Sequence, residues 1–376
     1  MAFWRVVFVD CSHFHAGDLM QMVRSHPRAS LEGVHDPDRM RATRVMSDLG
    51  ISESLYDRSL EDLLDRCQPH VVVCCGATAE HARWVERIAR PGQWILVEKP
   101  MAASLDDAER MLVAARRAGA QLVVNWPLAW DAAHRTAFRI AVRERRIGEL
   151  QSVHYFGGNR GPLWHTYGKT ARTQQQVDQE KPGSWFYKRA SGGGSLLDYL
   201  GYGTTLATWF LEGRLPIDMT SVTDRPAGLE VDEHSITICR YPFGLSRMET
   251  RWGTFTDPWN HPTQPPCGFL LVGSEGTLRS DDYAMHLLLQ DADNPEGIRL
   301  GVDTLTEVES NPIAYLLDCI ERTVPVTGPL SEELSWSGQR MVETAYQSAQ
   351  LGTTLPLLGG EATSRLFPKQ TELTAR

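Results

Sequence analysis

The sequence predicts two domains, an α/β half built on a parallel sheet and an α+β half with a mostly antiparallel open sheet. Three observations carry this. Apolar strand-like runs alternate with helical patterns over the first third of the chain. After that point strand-like runs follow one another without regular helices between them. The length of 376 residues allows two cores, while 42% hydrophobic and 23% charged residues are ordinary for a globular protein. The expected division is 1–125, 126–358 and a tail, 359–376, that reads as extended or frayed.

The first strand is Trp4 to Val9, β-branched and aromatic. A helix from Gly17 to Arg24 follows, then a strand from Ser30 to His35 that ends at Asp36-Pro37-Asp38. Asp38 to Leu49 is helical and stops at Gly50, a C-cap residue. Ser59 caps a short helix to Arg66. Val71 to Cys75 is a buried strand, Glu80 to Ala89 a helix, Trp94 to Val97 a strand, Ser104 to Gly119 a capped helix and Gln121 to Asn125 a strand. This alternation predicts crossover helices on both faces of a parallel sheet, with ligands outside the carboxyl ends of the strands. Asp10 to His15, Asp36 to Asp38, Gly76 to His81 and Glu98 to Pro100 then share one edge.

In the second half, Trp130 to Arg145 reads as one helix. Strands are expected at Leu150 to Phe156, Ser235 to Tyr241, Leu245 to Trp252, Gly268 to Val272 and Gly276 to Arg279. Helices are expected at Ser195 to Leu211, Pro312 to Arg322 and Glu332 to Gln350. The polar stretch from Asn159 to Pro182, with Trp164, His165 and Tyr167, is a long loop of the kind that carries function.

The net charge of −9 and the lack of a basic patch argue against nucleic acid and anionic membranes as partners. No apolar run reaches 18 residues and no signal peptide is legible, so the expected location is cytoplasmic. Seven irregularly spaced cysteines read as buried reduced thiols.

Two motifs carry the chemistry. Glu98-Lys99-Pro100 closes a strand at the ligand edge, and Pro100 restricts Lys99 to extended backbone at a candidate cis bond. Gly192-Gly193-Gly194 then opens a helix in which Asp198 and Tyr202 share one face at i and i+4. Oxidation of a secondary alcohol needs a base for the hydroxyl proton; a tyrosine beside an ammonium group suits that role if the cation lowers its pKa. Lys99 is the candidate cation, Asp198 its orienting partner and Tyr202 the acid/base. Each also has a bland reading, as a strand-end lysine or a capped core helix.

Together, EKP and GGG-x-L-x-D at this separation resemble the Gfo/Idh/MocA oxidoreductases over nearly the whole chain. His81-Ala82, Ile147-Gly148-Glu149, Gly273 to Thr277, Asn311-Pro312 and Ala345 to Ala349 add to the likeness. The resemblance implies a Rossmann-like domain with NAD or NADP, and a sugar, polyol or glycoside substrate oxidised at a secondary alcohol. Where the family usually has D-x-G-x-H, this chain has Asp198-Tyr199-Leu200-Gly201-Tyr202, so Tyr202 stands at the histidine position, as in glucose-fructose oxidoreductase-like members.

The expected cofactor residues are Ser12, His13, Phe14, His15, Asp36, Arg39, Ala77, Thr78, His81 and Glu98. Asp36 at the end of strand two favours NAD; Arg39 and Arg41 keep NADP open. The first turn departs from the family. G-x-G-x-x-G supplies a tight turn and free amides for the pyrophosphate, whereas here all three glycine positions of Asp10 to His15 are substituted. Arg160, Trp164, His165 and Tyr187 are the expected substrate contacts, and no metal is expected. The open sheet implies a homodimer or homotetramer.

Three alternatives remain. His13 and His15 resemble the H-x-H of metal-dependent hydrolases, although the strand–helix repeats are too few for an eight-fold barrel. An NAD-dependent glycosidase or lyase using transient oxidation keeps the fold without net redox change. A degenerate, non-redox sugar-binding member is the third, argued for by the lost glycines.

Overall fold

The computed structural model describes residues 3–368. In the first half the elements are β1 (Trp4–Val9), α1 (His15–Ser25), β2 (Ala29–His35), α2 (Arg39–Asp48), β3 (Tyr56–Asp57), α3 (Leu60–Cys67), β4 (Val71–Cys74), α4 (His81–Ile88), β5 (Trp94–Glu98), α5 (Leu105–Ala118) and β6 (Gln121–Asn125). The sheet order is β3-β2-β1-β4-β5-β6, and every pairing is parallel. This is the doubly wound dinucleotide-domain order, whose switch point lies between β1 and β4. Its central strands are continuous apolar runs because helices cover both faces: Val6 to Val9 and Val71 to Cys74 are buried. Ser59, Ser104 and Asp38 cap their helices by accepting from backbone N–H groups.

The second half contains α6 (Ala132–Phe138), β7 (Leu150–Asn159), α7 (Gln174–Glu180), α8 (Ser195–Phe210), β8 (Asp218–Asp224), β9 (His234–Tyr241), β10 (Gly244–Trp252), β11 (Gly268–Gly273), β12 (Gly276–Asp281), β13 (His286–Asp291) and β14 (Asn294–Gly301). It closes with α9 (Pro312–Arg322), α10 (Glu332–Leu351), β15 (Leu355–Pro356) and α11 (Gly360–Leu366). Nine strands form one sheet, β14-β13-β12-β11-β7-β10-β9-β8-β15. All of its pairs are antiparallel except β7 with β10. Helix α8 lies buried between this sheet and α10, and nearly all of its side chains are in the core.

Four expectations need correction. The segment 130–145 is not one helix: a 3-10 turn, Pro127–Trp130, leads into α6, which continues as a π-helical turn, Arg139–Arg143. The loop from Asn159 contains α7, opened by a Thr173–Gln176 capping box. β8, β13 and β14 join the sheet where no strand was expected. The tail is not frayed through Leu366: α11 packs on the body, where Trp336 Nε1 donates to Thr363 Oγ1 at 2.9 Å and Arg365 pairs with Glu109 at 2.6 Å; the rest of that tail, from 369, lies outside the described residues. All seven cysteines are free and buried. Among the described residues no helix is long and apolar enough to cross a membrane.

Candidate active site

Lys99 follows the last residue of β5, and its bond to Pro100 is cis. Its side chain leaves the first sheet at the carboxyl edge and meets α8. Lys99 Nζ donates to Asp198 Oδ1 at 2.5 Å, and both side chains are under a tenth exposed. Trp252 Nε1 holds the other oxygen, Asp198 Oδ2, at 3.1 Å. Asp198 sits in the first turn of α8, where the helix dipole favours a carboxylate.

The triple glycine sets that helix start. Gly194 has φ +110, and a Cβ there would stand 2.6 Å from Asp232 Oδ1. That carboxylate must come so close because it accepts from Ser195 Oγ and the Leu196 N–H. A Cβ on Gly193 would strike the Phe186 carbonyl.

Tyr202 lies one turn beyond Asp198 and is 5% exposed. The Lys99 amine is 5.5 Å from its ring centre and 5.9 Å from that of Tyr199. A phenol acidified by Lys99 was expected. Instead burial, with Glu98 next, pushes the Tyr202 hydroxyl well above the usual tyrosine range. Tyr202 is therefore a neutral hydrogen-bond donor.

These groups line a cavity of about 640 Å³. Asn125, Asn159 and His165 add polar atoms, while Trp130, Trp259 and Tyr283 add aromatic faces. His165 is buried, its Nδ1 has no hydrogen-bond partner among the described residues, and its ring meets Phe14 at 4.6 Å and Trp259 at 4.5 Å. Burial, then His15 and Lys99, push its pKa down to about 3, so it is a neutral imidazole.

Three of the expected substrate contacts fall elsewhere. Arg160 stacks on Trp164 at 3.6 Å. Tyr187 is buried against Trp252 at 5.3 Å. Tyr187 belongs with Leu163 and Val177 to a small separate core on which Trp164 packs, because apolar packing under α7 claims these aromatic rings. Asn125, Trp130, Asp282 and Tyr283 were missed. Asn125 was legible in principle, since it ends β6 on the same edge as Lys99.

Most of the residues expected to hold a cofactor are engaged within the protein. Asp10 has φ +59, so it adopts the left-handed backbone that a glycine would supply. Its Oδ1 accepts from the Ser12 N–H at 2.9 Å, the Ser12 hydroxyl at 2.5 Å and Arg41 Nη2 at 3.1 Å. Its Oδ2 accepts from Trp84 Nε1 at 3.0 Å. Asp36, expected to grip a ribose, accepts from Arg41 Nε and Nη2 and from the N–H groups of Cys11 and Asp38. Arg39 points outward to Glu53 at 3.7 Å, so Arg41, two residues on, is the guanidinium of this edge.

Ala77 and Thr78 are nearly covered. A Cβ on Gly192 would stand 2.9 Å from Thr78, so the segment before α8 lies directly on them. His81 is buried within 3.1 Å of the Gly76 and Met101 carbonyls. Glu98 is fully buried, held by His15 Nδ1 and Asn125 Nδ2, both at 2.8 Å. Burial opposes its charge, yet His15, with Lys99 and Asn125, holds its carboxyl below the usual range.

His13, His15 and Glu98 place ligand atoms within 4.8 Å of one another, a metal-like spacing. His13 Nδ1, however, accepts the His15 N–H at 3.2 Å, so the proton of the neutral ring sits on Nε2. A ligating histidine needs an acceptor behind it, not a donor.

The residues therefore do not fit a dinucleotide at the pyrophosphate and ribose positions. The acidic residue, and every amide of the turn from Asp10 to His15 except that of Phe14, already have partners within the protein.

A family profile described as "Oxidoreductase family, NAD-binding Rossmann fold" matches residues 4–126, and the "GFO/IDH/MocA C-terminal domain" matches residues 136–279. The chain is 37% identical over 116 residues to the 1,5-anhydro-D-fructose reductase of Ensifer adhaerens, covering 31% of this chain and 34% of the relative. It is 29% identical over 192 residues to the dTDP-3,4-didehydro-2,6-dideoxy-alpha-D-glucose 3-reductase of Streptomyces antibioticus, half of each chain. The matched stretches thus span about a third to a half of these curated relatives. The aldose-aldose oxidoreductase of Caulobacter crescentus shares the fold with a TM-score of 0.75 at 20% identity, over 94% of this chain and 100% of that one. An oxidoreductase of Agrobacterium radiobacter, solved with NAD+, L-tartaric acid and magnesium, gives 0.73 at 18% identity, over 94% and 98%. On both of its domains, this chain belongs to the Gfo/Idh/MocA oxidoreductase family.

Proposed function

We propose that this protein is an enzyme acting on a sugar, polyol or glycoside, with Lys99 at the substrate's reacting oxygen. One observation carries the reading. The Lys99 amine is fixed against Asp198 at 2.5 Å inside a cavity walled by aromatic rings and amide side chains. Such walls suit a ring with apolar faces and hydroxyl edges. Relatives named for an anhydrofructose, a didehydro-sugar and scyllo-inositol support the substrate class.

Lys99 has three N–H donors and Asp198 accepts one. The remaining donors serve a hydroxyl or carbonyl oxygen of the substrate. Tyr202, a neutral phenol on the same helix face, donates to that oxygen as negative charge develops on it. Asn125, Asn159 and His165 orient neighbouring hydroxyls. These residues supply the proton half of an alcohol–carbonyl interconversion. The family's hydride acceptor is a nicotinamide dinucleotide, but the first turn does not fit it and Asp36, the acid that would favour NAD, is held by Arg41.

A second reading shares the site and has no net redox change: proton exchange next to a sugar carbonyl, or sugar binding alone. The engaged turn favours it. The two are separated by presenting alcohol and keto forms of one sugar to the purified protein. Turnover of the alcohol with added NAD+ or NADP+ supports the dehydrogenase. Solvent-deuterium incorporation into the keto form without dinucleotide supports the second. If neither form binds or reacts across a panel of sugars, polyols and glycosides, the sugar reading fails.

A further inference from the structure

We infer that Asp10 is a built-in counter-anion that closes the dinucleotide-binding turn of this fold to a pyrophosphate. In a doubly wound domain the turn after β1 binds pyrophosphate with free backbone amides at the start of α1. Here all of those amides but that of Phe14 have internal acceptors. The Asp10 N–H donates to the His35 carbonyl and the His13 N–H to the Cys75 carbonyl, both at 2.8 Å. The Cys11 N–H donates to Asp36 and the Ser12 N–H to Asp10 itself. The His15 N–H donates to His13 Nδ1, and the Ala16 and Gly17 N–H groups donate back to the carbonyls of His13 and Phe14.

The Asp10 carboxylate is also built in from its far side. A Cβ on Gly76 would stand 3.2 Å from Asp10 Oδ2 and 3.1 Å from the Trp84 ring, so the missing side chain at 76 is what makes room for the acid. One guanidinium, Arg41, is shared between Asp10 and Asp36, so the cation of this turn is already paired. A phosphate brought to this turn would meet two carboxylates set against the single positive charge of Arg41, a net repulsion.

Above the turn, Trp185 Nε1 donates to the Ser12 carbonyl at 3.2 Å. Tyr167 lies on Gly17, where a Cβ would stand 2.5 Å from the ring. The lining of the Lys99 cavity includes Phe14 and His15 but not Asp10, Ser12, Asp36 or Thr78. The cavity thus reaches the start of α1 at Phe14 and His15 and stops short of the Asp10 and Asp36 carboxylates.

The inference is independent of which sugar enters the cavity. The test uses the full native chain. NAD+, NADH, NADP+ and NADPH are titrated calorimetrically at millimolar concentration, and the supernatant of denatured protein is assayed for all four. Energy transfer from tryptophan to NADH is read in parallel, since Trp84 and Trp185 flank the turn. No saturable heat, no released dinucleotide and no energy transfer are expected. Stoichiometric binding of any of the four, or its release on denaturation, would overturn the inference while leaving the sugar reading intact.

Discussion

Lys99 and Asp198 come from different domains and meet at 2.5 Å, one leaving β5 and the other in the first turn of α8. Deleting one partner of a buried ion pair costs about 3–5 kcal/mol, whereas replacing both with apolar groups of like volume is often near neutral. Asp198→Leu and Lys99→Met are each expected to lower the unfolding free energy by about 3 kcal/mol, and the double variant is expected to recover most of that loss. Urea denaturation of all four proteins checks the cycle. Simple addition of the two losses would show that the pair is not coupled.

Arg41 and Arg39 are two residues apart and differ in kind. Arg41 bridges Asp10 and Asp36, both buried, while Arg39 is 69% exposed beside Glu53. Arg41→Ala leaves two buried carboxylates facing each other and is expected to cost about 3 kcal/mol. Arg39→Ala is expected to stay within about 0.5 kcal/mol. Equal melting temperatures for the two variants would remove the network from the account of the turn.

The buried imidazole of His165 gives stability a pH dependence. Its pKa is pushed down to about 3 from the ordinary 6.5. Between those values the unfolded chain binds a proton that the folded chain does not, so this contribution is lost as pH falls below about 6.5. At pH 5 the loss amounts to about 2 kcal/mol. His165→Asn is expected to flatten the fall in unfolding free energy between pH 7.5 and pH 5 by about that amount. An unchanged slope would mean that His165 titrates normally.

Gly17 and Tyr167 make a size test. A Cβ at 17 would stand 2.5 Å from the Tyr167 ring. Gly17→Ala is expected to lower the melting temperature despite its better helix propensity, and Tyr167→Ala in the same chain is expected to restore it. If Gly17→Ala alone raises the melting temperature, Tyr167 does not rest on α1.

The first sheet was legible because its strands are continuous apolar runs punctuated by caps and glycines. β3 escaped because it has two residues, and β8 because Asp218 to Asp224 is largely polar. The segment 130–145 read as one helix because hydrophobic spacing does not register Pro127 opening a 3-10 turn or the π turn at its end. That Lys99, Asp198 and Tyr202 meet at one cavity was legible from the strand-edge rule and the i, i+4 spacing. Arg160, Trp164 and Tyr187 were misplaced because aromatic content in a loop does not say which face packs inward. That Asp36 and Arg41 would form a closed pair, with Arg39 outside, depended on side-chain directions at the start of α2, which sequence spacing leaves open.

The most direct test of the Lys99 assignment is a calorimetric panel of sugars, polyols, glycosides and their keto forms on the native protein, repeated on Lys99→Met. The account predicts at least one ligand for the native chain and a loss of its affinity of tenfold or more in the variant, as expected for a charge-assisted hydrogen bond at about 1.5–3 kcal/mol. A ligand that binds both proteins equally well would contradict it.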